Sequence, residues 1–376
     1  MQLVRKGKIG ILLTVLLILA LPMVASAQIT IAAIITSLTG PAAQNGVYMT
    51  NAMNMAIDEI NARGGVRGQK LEIVYLDDQA KASEAINAMR KALFDIKPAV
   101  ILGPDWSGLV LSCMPLAAQQ GIPQIVSATN VQITSQGIPT IFRNRANDSV
   151  PAKLIAQYVT DEGFRKVGIM YTNEDYGKGF ADETAENLKR LGNAPIRVES
   201  CNLGDTDFTA QILALRNAGV DVILALGKEV ELAKFLRQTR ELGVTTPVMG
   251  GSTFGIDYVV ELAGPEAMEG VKIVTHFLAS DPDPKIQEFV GRYMDLYPGL
   301  EPEAHVPCYY DTIHFLAEIM EKYGTSPQDI TKGLQELDYL GIQSRYVYSP
   351  GGDLVTKQVI GEFRNGIWEV TDVLGE

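Results

Sequence analysis

Catalysis and metal binding have little to draw on in this chain. Its 376 residues include only three histidines, His276, His305 and His314, and three cysteines, Cys113, Cys201 and Cys308. The histidines all fall in the last third, none at a metal-ligand spacing, and His314 sits on the apolar face of a helical pattern. No GxSxG, HExxH, P-loop or GxGxxG is present. The acids Asp77-Asp78 and the DPDP run at 281–284 read as turn and capping residues. With no nucleophile–base pair, an enzyme finds no support, and neither a metal nor a cofactor is expected. The odd cysteine count, without a CxxC, excludes a disulfide framework, so the three are expected as small core residues. Basic charge is scarce as well. Three of the 32 Lys and Arg and none of the 44 Asp and Glu fall before residue 28, leaving 29 against 44, a net −15. That balance argues against nucleic acid or an anionic membrane as partner. Beyond Val24 no apolar run is long enough to cross a bilayer, and no Pro-rich or low-complexity linker divides the chain.

What is present begins with Arg5, Lys6 and Lys8, an apolar run from Ile9 to Val24, and then ASAQ. Basic start, short apolar stretch and small residues Ala25 and Ala27 form an export signal over 1–27, cleaved before Gln28. No cysteine follows it to carry a lipid, so a soluble periplasmic protein is expected. The rest exceeds what one core usually serves, and two domains are the prior. Short continuous apolar strands then alternate with amphipathic helices. ITIAAII, LEIVYL, AVIL and IPQIVS form one series, with helices at 43–62, 83–95 and 109–120 between them. KVGIMYT, IRVES, DVILAL and PVMG form the second, with helices at 179–191, 208–218 and 230–242. This pattern specifies parallel sheets covered on both faces, hence an α/β protein of two doubly wound lobes. From Val271 one more strand, three helices and an antiparallel pair turning at Asn365-Gly366 are expected. FRNRANDSVP, 142–151, is the expected first crossing between lobes, short enough to be a hinge.

In such sheets ligands bind beyond the carboxyl ends of the strands, where helix N-termini offer unpaired N–H groups. AVIL is followed by GPDWSG, with Trp106 and Ser107. IPQIV is followed by SATN, with Ser127, Ala128 and Thr129. Tyr176 follows VGIMYT, Lys228 follows DVILAL, and Ser252 follows PVMG. Singly, each has a plainer reading: Ser107 as a helix N-cap, SATN as a polar loop, Tyr176 and Trp106 as packing rings, Lys228 as a solvated helix start. Together they suit a small carboxylate.

The order of SLTGPAAQNG, AIDEINARGGVRGQKLEIVYLDD, GIPQIVSATN, YTNEDYGKGF and PCYYDTIHFLAEIM resembles the bacterial periplasmic leucine/isoleucine/valine-binding proteins, over nearly the whole chain after the signal. The resemblance implies a type I periplasmic-binding-protein fold with a three-crossing hinge: lobe 1 at 28–147 plus 276–346, lobe 2 at 148–275 plus 347–376. It also implies a monomeric receptor that hands its solute to an inner-membrane ABC permease. Ser107 matches the position that holds the ligand carboxylate, Ser127 and Thr129 the pair that binds carboxylate and ammonium, and Tyr176 the second-lobe tyrosine that reaches the ligand on closure.

Two positions depart from the family. Lys228 stands where the amino-acid binders carry an aromatic residue, and Ser252 where they carry the glutamate that pairs with the ligand ammonium. A buried ammonium without a carboxylate partner is costly. The expected ligand is therefore a carboxylate lacking the α-ammonium, an aromatic or other organic acid, or an acid with a second anionic group, with Trp106 and Tyr176 suiting a flat body. A branched-chain or other α-amino acid stays open, with Asp105 or Asp257 in the glutamate's role. So does service to a membrane sensor in place of an importer.

Overall fold

The computed structural model describes residues 28–35, 38–39 and 43–374. The expected export signal at 1–27 lies outside these residues. QITIAAII forms β1 (Gln28–Ile35), in which Ile31, Ala32, Ala33 and Ile34 are buried. A strand apolar on both faces needs cover on both. Helix α1 (Ala43–Ala62) covers one face through Met49, Met53 and Ala56. After β2 (Lys70–Asp77), α2 (Ala82–Lys91) covers the other and continues as a π-turn over Ala92–Ile96. Next come β3 (Val100–Leu102), α3 (Ser107–Gln120), β4 (Gln124–Val126), the short α4 (Gln132–Ser135) and β5 (Ile141–Arg143). The five strands pair in parallel, in the order β2-β1-β3-β4-β5.

The second lobe starts with α5 (Ser149–Asp161), β6 (Val167–Thr172), α6 (Asp175–Arg190) and β7 (Arg197–Cys201). It continues through α7 (Thr209–Ala218), β8 (Val222–Leu226), α8 (Glu229–Glu241) and β9 (Val248–Gly250). Then follow α9 (Asp257–Ala263), α10 (Pro265–Met268) and β10 (Lys272–Thr275). The chain now returns to the first lobe, where α11 (Pro284–Leu296), α12 (His305–Tyr323) and α13 (Pro327–Gln335) add to the core around α1. A small hairpin, β11 (Asp338–Leu340) and β12 (Arg345–Val347), precedes β13 (Gln358–Arg364) and β14 (Ile367–Leu374), which complete the second sheet. Its order is β14-β13-β10-β9-β8-β6-β7, with the last hairpin antiparallel. The Asn365-Gly366 turn has φ of 52° and 88°, the two left-handed residues a tight hairpin turn requires.

The α/β, doubly wound reading therefore holds for both lobes. Helices α3 and α6 begin at Ser107 and Asp175, earlier than the 109 and 179 read from periodicity. Their first turns carry small and polar residues, which give no apolar signal. The chain passes between sheets after Arg143, after Thr275 and before Gln358. The Tyr348 ring lies 5.1 Å from that of Phe142, and its hydroxyl donates to the Arg143 carbonyl at 2.6 Å. Leu354 also joins the first core. On that packing we propose to carry the first lobe through Leu354 before the third crossing. All three cysteines are buried and free.

Candidate functional site

At the end of β4 the chain turns through SATN, and two arginines hold that turn in place. Fully buried Arg143 donates from Nη1 to the Ala128 carbonyl, from Nη2 to the Asn130 carbonyl at 2.7 Å, and from Nε to Asp353 at 2.6 Å. Arg145 donates from Nε to the Ser127 carbonyl at 2.6 Å. With these carbonyls engaged, the N–H groups of Ala128 and Thr129 meet no acceptor among the described residues. Ser107 is the first residue of α3, and Trp106 occupies the N-cap position. The Ser107 hydroxyl accepts from the Asn130 N–H at 3.2 Å, so it ties the two loops together and does not cap its own helix. Small side chains let a ligand reach free backbone donors here, beside a helix N-terminus.

The second lobe places Tyr176 in the first turn of α6 and Lys228 at the N-cap of α8. Close approach of these helices depends on glycine. A Cβ on Gly177 would lie 2.3 Å from the Thr172 carbonyl, and one on Gly227 2.2 Å from the Thr172 hydroxyl. The Tyr176 hydroxyl bonds Thr253 at 3.2 Å, and burial raises its pKa. Lys228, 5% exposed, sets its ammonium 4.0 Å from the centre of the Trp106 ring and 5.0 Å from that of Tyr176. No carboxylate lies within 4.0 Å of it among the described residues.

Of the sequence-read residues, Ser107, Ala128, Thr129, Tyr176, Lys228 and Ser252 line one cavity between the lobes. Trp106 and Ser127 stand behind its wall: Trp106 faces the lysine, and Ser127, fully buried, serves the cradle through its carbonyl. Sequence reading missed Arg145, Glu229 and His305, which also line the cavity, and named Asp105 only as an alternative. Asp257 lies outside that lining and accepts from the Tyr48 hydroxyl at 3.3 Å. Burial, the largest single influence, opposes the charge on Arg145, but Asp105, Cys308, Tyr176 and Asp148 together outweigh it and raise the guanidinium pKa. His305 behaves alike: burial lowers its pKa, yet Glu303, 2.8 Å from Nδ1, and Asp105, 3.6 Å from Nε2, raise it overall. No local pattern within the 142–151 crossing marks Arg145. The histidine came from a distant helix start with no pattern of its own.

Across the cleft the lobes touch directly. Asn45 donates to Glu229 at 3.3 Å, Tyr48 to Asp257 at 3.3 Å, and Asn130 to the Asp175 carbonyl at 2.5 Å. The arrangement is a closed cleft lined by strand ends, with charged groups of both signs, Asp105, Arg145, Lys228 and Glu229, in its wall.

The sequence pattern of the family described as "Periplasmic binding protein" matches residues 28–364. The chain belongs to that family. As a periplasmic binding protein it is 32% identical over 306 residues to the Leu/Ile/Val-binding protein homolog 1 of Brucella suis, covering 80% of each. A leucine-binding protein of Thermotoga maritima superposes with TM-score 0.84 at 26% identity, covering 92% of this chain and 99% of that one. The branched-chain amino acid transporter substrate-binding protein of Streptococcus pneumoniae, solved with isoleucine, gives 0.86 at 26%, covering 93% and 99%. A benzoate-bound solute-binding protein of R. palustris, 17% identical with TM-score 0.83 over 92% of this chain and 96% of that one, shares the fold alone. The solved relatives carry the type I binding-protein fold expected from sequence.

Proposed function

We propose that this chain is the extracytoplasmic receptor of an ABC importer and captures a small organic acid without an α-ammonium. The carrying observation is Lys228. Its buried ammonium faces aromatic rings and has no carboxylate within ion-pair distance among the described residues. Ring faces return about 2 kcal/mol to a desolvated cation, less than burial costs it, so an anion is the missing partner. The free N–H groups at Ala128 and Thr129 and the guanidinium of Arg145 supply further donors on the opposite lobe. The first lobe captures the carboxylate, and rotation about the crossings brings Tyr176 and Lys228 over it. Because Lys228 already turns to the Trp106 face, the ligand body need not be aromatic.

A second reading, an α-amino acid, draws on Asp105 and Glu229 in the same lining and on relatives that bind leucine or isoleucine. A thermal-shift screen of refolded, ligand-free protein separates the two. A ligand at a hundred times its Kd adds about 2.7 kcal/mol of stability. Shifts with acids lacking the amino group and none with leucine, isoleucine or valine support the first reading, and the reverse result rejects it. Lys228→Ala should weaken the bound acid by more than about tenfold; unchanged affinity would remove the lysine from the site.

A further inference from the structure

A second cavity adjoins the first and shares Thr129, Arg145, Tyr176 and Ser252 with it. It lies on the hinge side. Arg145 and Asp148 come from the first crossing, Thr275 and His276 from the second, and Gln358 from the end of the third. Most of its polar atoms have partners in the protein. His276 Nε2 meets the Ala304 carbonyl at 2.9 Å, and Gln358 donates to Thr356. Asp148 does not follow this pattern. It is 2% exposed, its N–H donates to the Thr129 carbonyl at 2.9 Å, and its Oδ2 is buried without a hydrogen-bond partner. A hydrogen bond from the Thr129 side chain supports its charge, and Arg143 and Arg145 stand near enough to add to that, yet neither arginine makes an ion pair with it and Oδ2 stays unpartnered. A buried carboxylate oxygen left without a donor is costly, and a cavity wall is the one place where a ligand can supply that donor.

We propose that Asp148 marks a hinge-side subsite for a hydrogen-bond donor on the ligand, a hydroxyl or an amine, next to the carboxylate cradle. The inference rests on the anion-receptor reading for the placement of the ligand. It narrows the ligand to an acid that also carries such a donor. A second anionic group is disfavoured, because Asp148, Asp105 and Glu229 already line the two cavities.

Calorimetry with matched probes tests this: 4-methylpentanoate, its 2-hydroxy analogue and leucine, and benzoate against 4-hydroxybenzoate, on wild type and Asp148→Asn. In at least one set the donor-bearing probe should bind wild type at least tenfold more tightly than its donor-less partner. Asp148→Asn should abolish that preference and leave the donor-less acid unchanged. Equal binding within every set, or a preference that survives the substitution, overturns the subsite while the anion-receptor reading stands. Leucine alone binding, and losing affinity in Asp148→Asn, upholds the subsite and rejects the ammonium-free reading. Silence from every probe rejects both. Should the variant fold poorly, the wild-type affinity ratio between partners from pH 5.5 to 8.5 replaces it. Asp148 faces Arg143, Arg145, Glu174, Tyr176 and His276; burial raises its own pKa to about 7 and lowers that of His276 to about 3. The donor's advantage should grow as Asp148 ionises, and a flat ratio counts against the subsite.

Discussion

Arg143 and Asp148 sit five residues apart, and burial sets opposite terms for them. Arg143 finds four acceptors: Ala128, Asn130, Thr134 and Asp353. Arg143→Met should cost about 3 kcal/mol, because buried acceptors lose charge-assisted hydrogen bonds while Asp353, with a side chain 32% exposed, keeps access to water, read as a lower chemical-denaturation midpoint. It should also weaken ligand binding, because the SATN turn loses its clamp. Asp148 has too few partners, and burial lifts its pKa from 3.8 to about 7 against the pull of Thr129, Arg143 and Arg145. Between those values the folded state holds a proton that the unfolded state has lost, so stability falls as pH rises through the window. Asp148→Asn lacks that proton uptake. The melting temperature of the variant relative to wild type should climb from pH 4 to about 7 and then level off. Asp311, raised by burial to about 7 as well, is present in both proteins and cancels. A difference that stays flat across this range would place Asp148 in contact with solvent.

Helix starts make the site at the next scale. Ser107, Tyr176, Lys228 and His305 each lie within two residues of a helix N-terminus. Periodicity located the bodies of α3 and α6 but began them late, because their first turns are small and polar. Ser107 and Tyr176 were legible as polar residues after apolar strands. Arg145 and Asp148 were not, since a short crossing has no periodicity to betray which side chains turn inward. Gly177 is the element-scale test. A Cβ there meets the Thr172 carbonyl at 2.3 Å and the Gly227 Cα at 3.2 Å, so α6 must shift. Gly177→Ala should cost about 1–3 kcal/mol in thermal unfolding and lower ligand affinity by moving Tyr176. An unaltered melting curve would show that the helix start yields without strain.

Over the whole molecule, closure is a balance between lobes, and the ligand adds only its differential contacts. Gly108 of the first lobe faces Asp175 of the second, and a Cβ on Gly108 would come within 2.5 Å of the Asp175 carboxylate. Leucine is a good helix former, so Gly108→Leu should preserve the fold and wedge the cleft. Small-angle scattering should then report a larger radius of gyration without ligand, and affinity should fall at least tenfold. Identical scattering would mean that the lobes slide past the added side chain. Sequence alone determined the two doubly wound sheets, their helical cover and the strand ends that line the cleft, because apolar runs and turn residues are local signals. The return of α11 to α13 to the first core, the meeting of Lys228 with Trp106, and the hinge-side placement of Asp148 were decided only by tertiary structure. They depend on how two lobes pack across crossings far apart in sequence, and no local pattern encodes that distance.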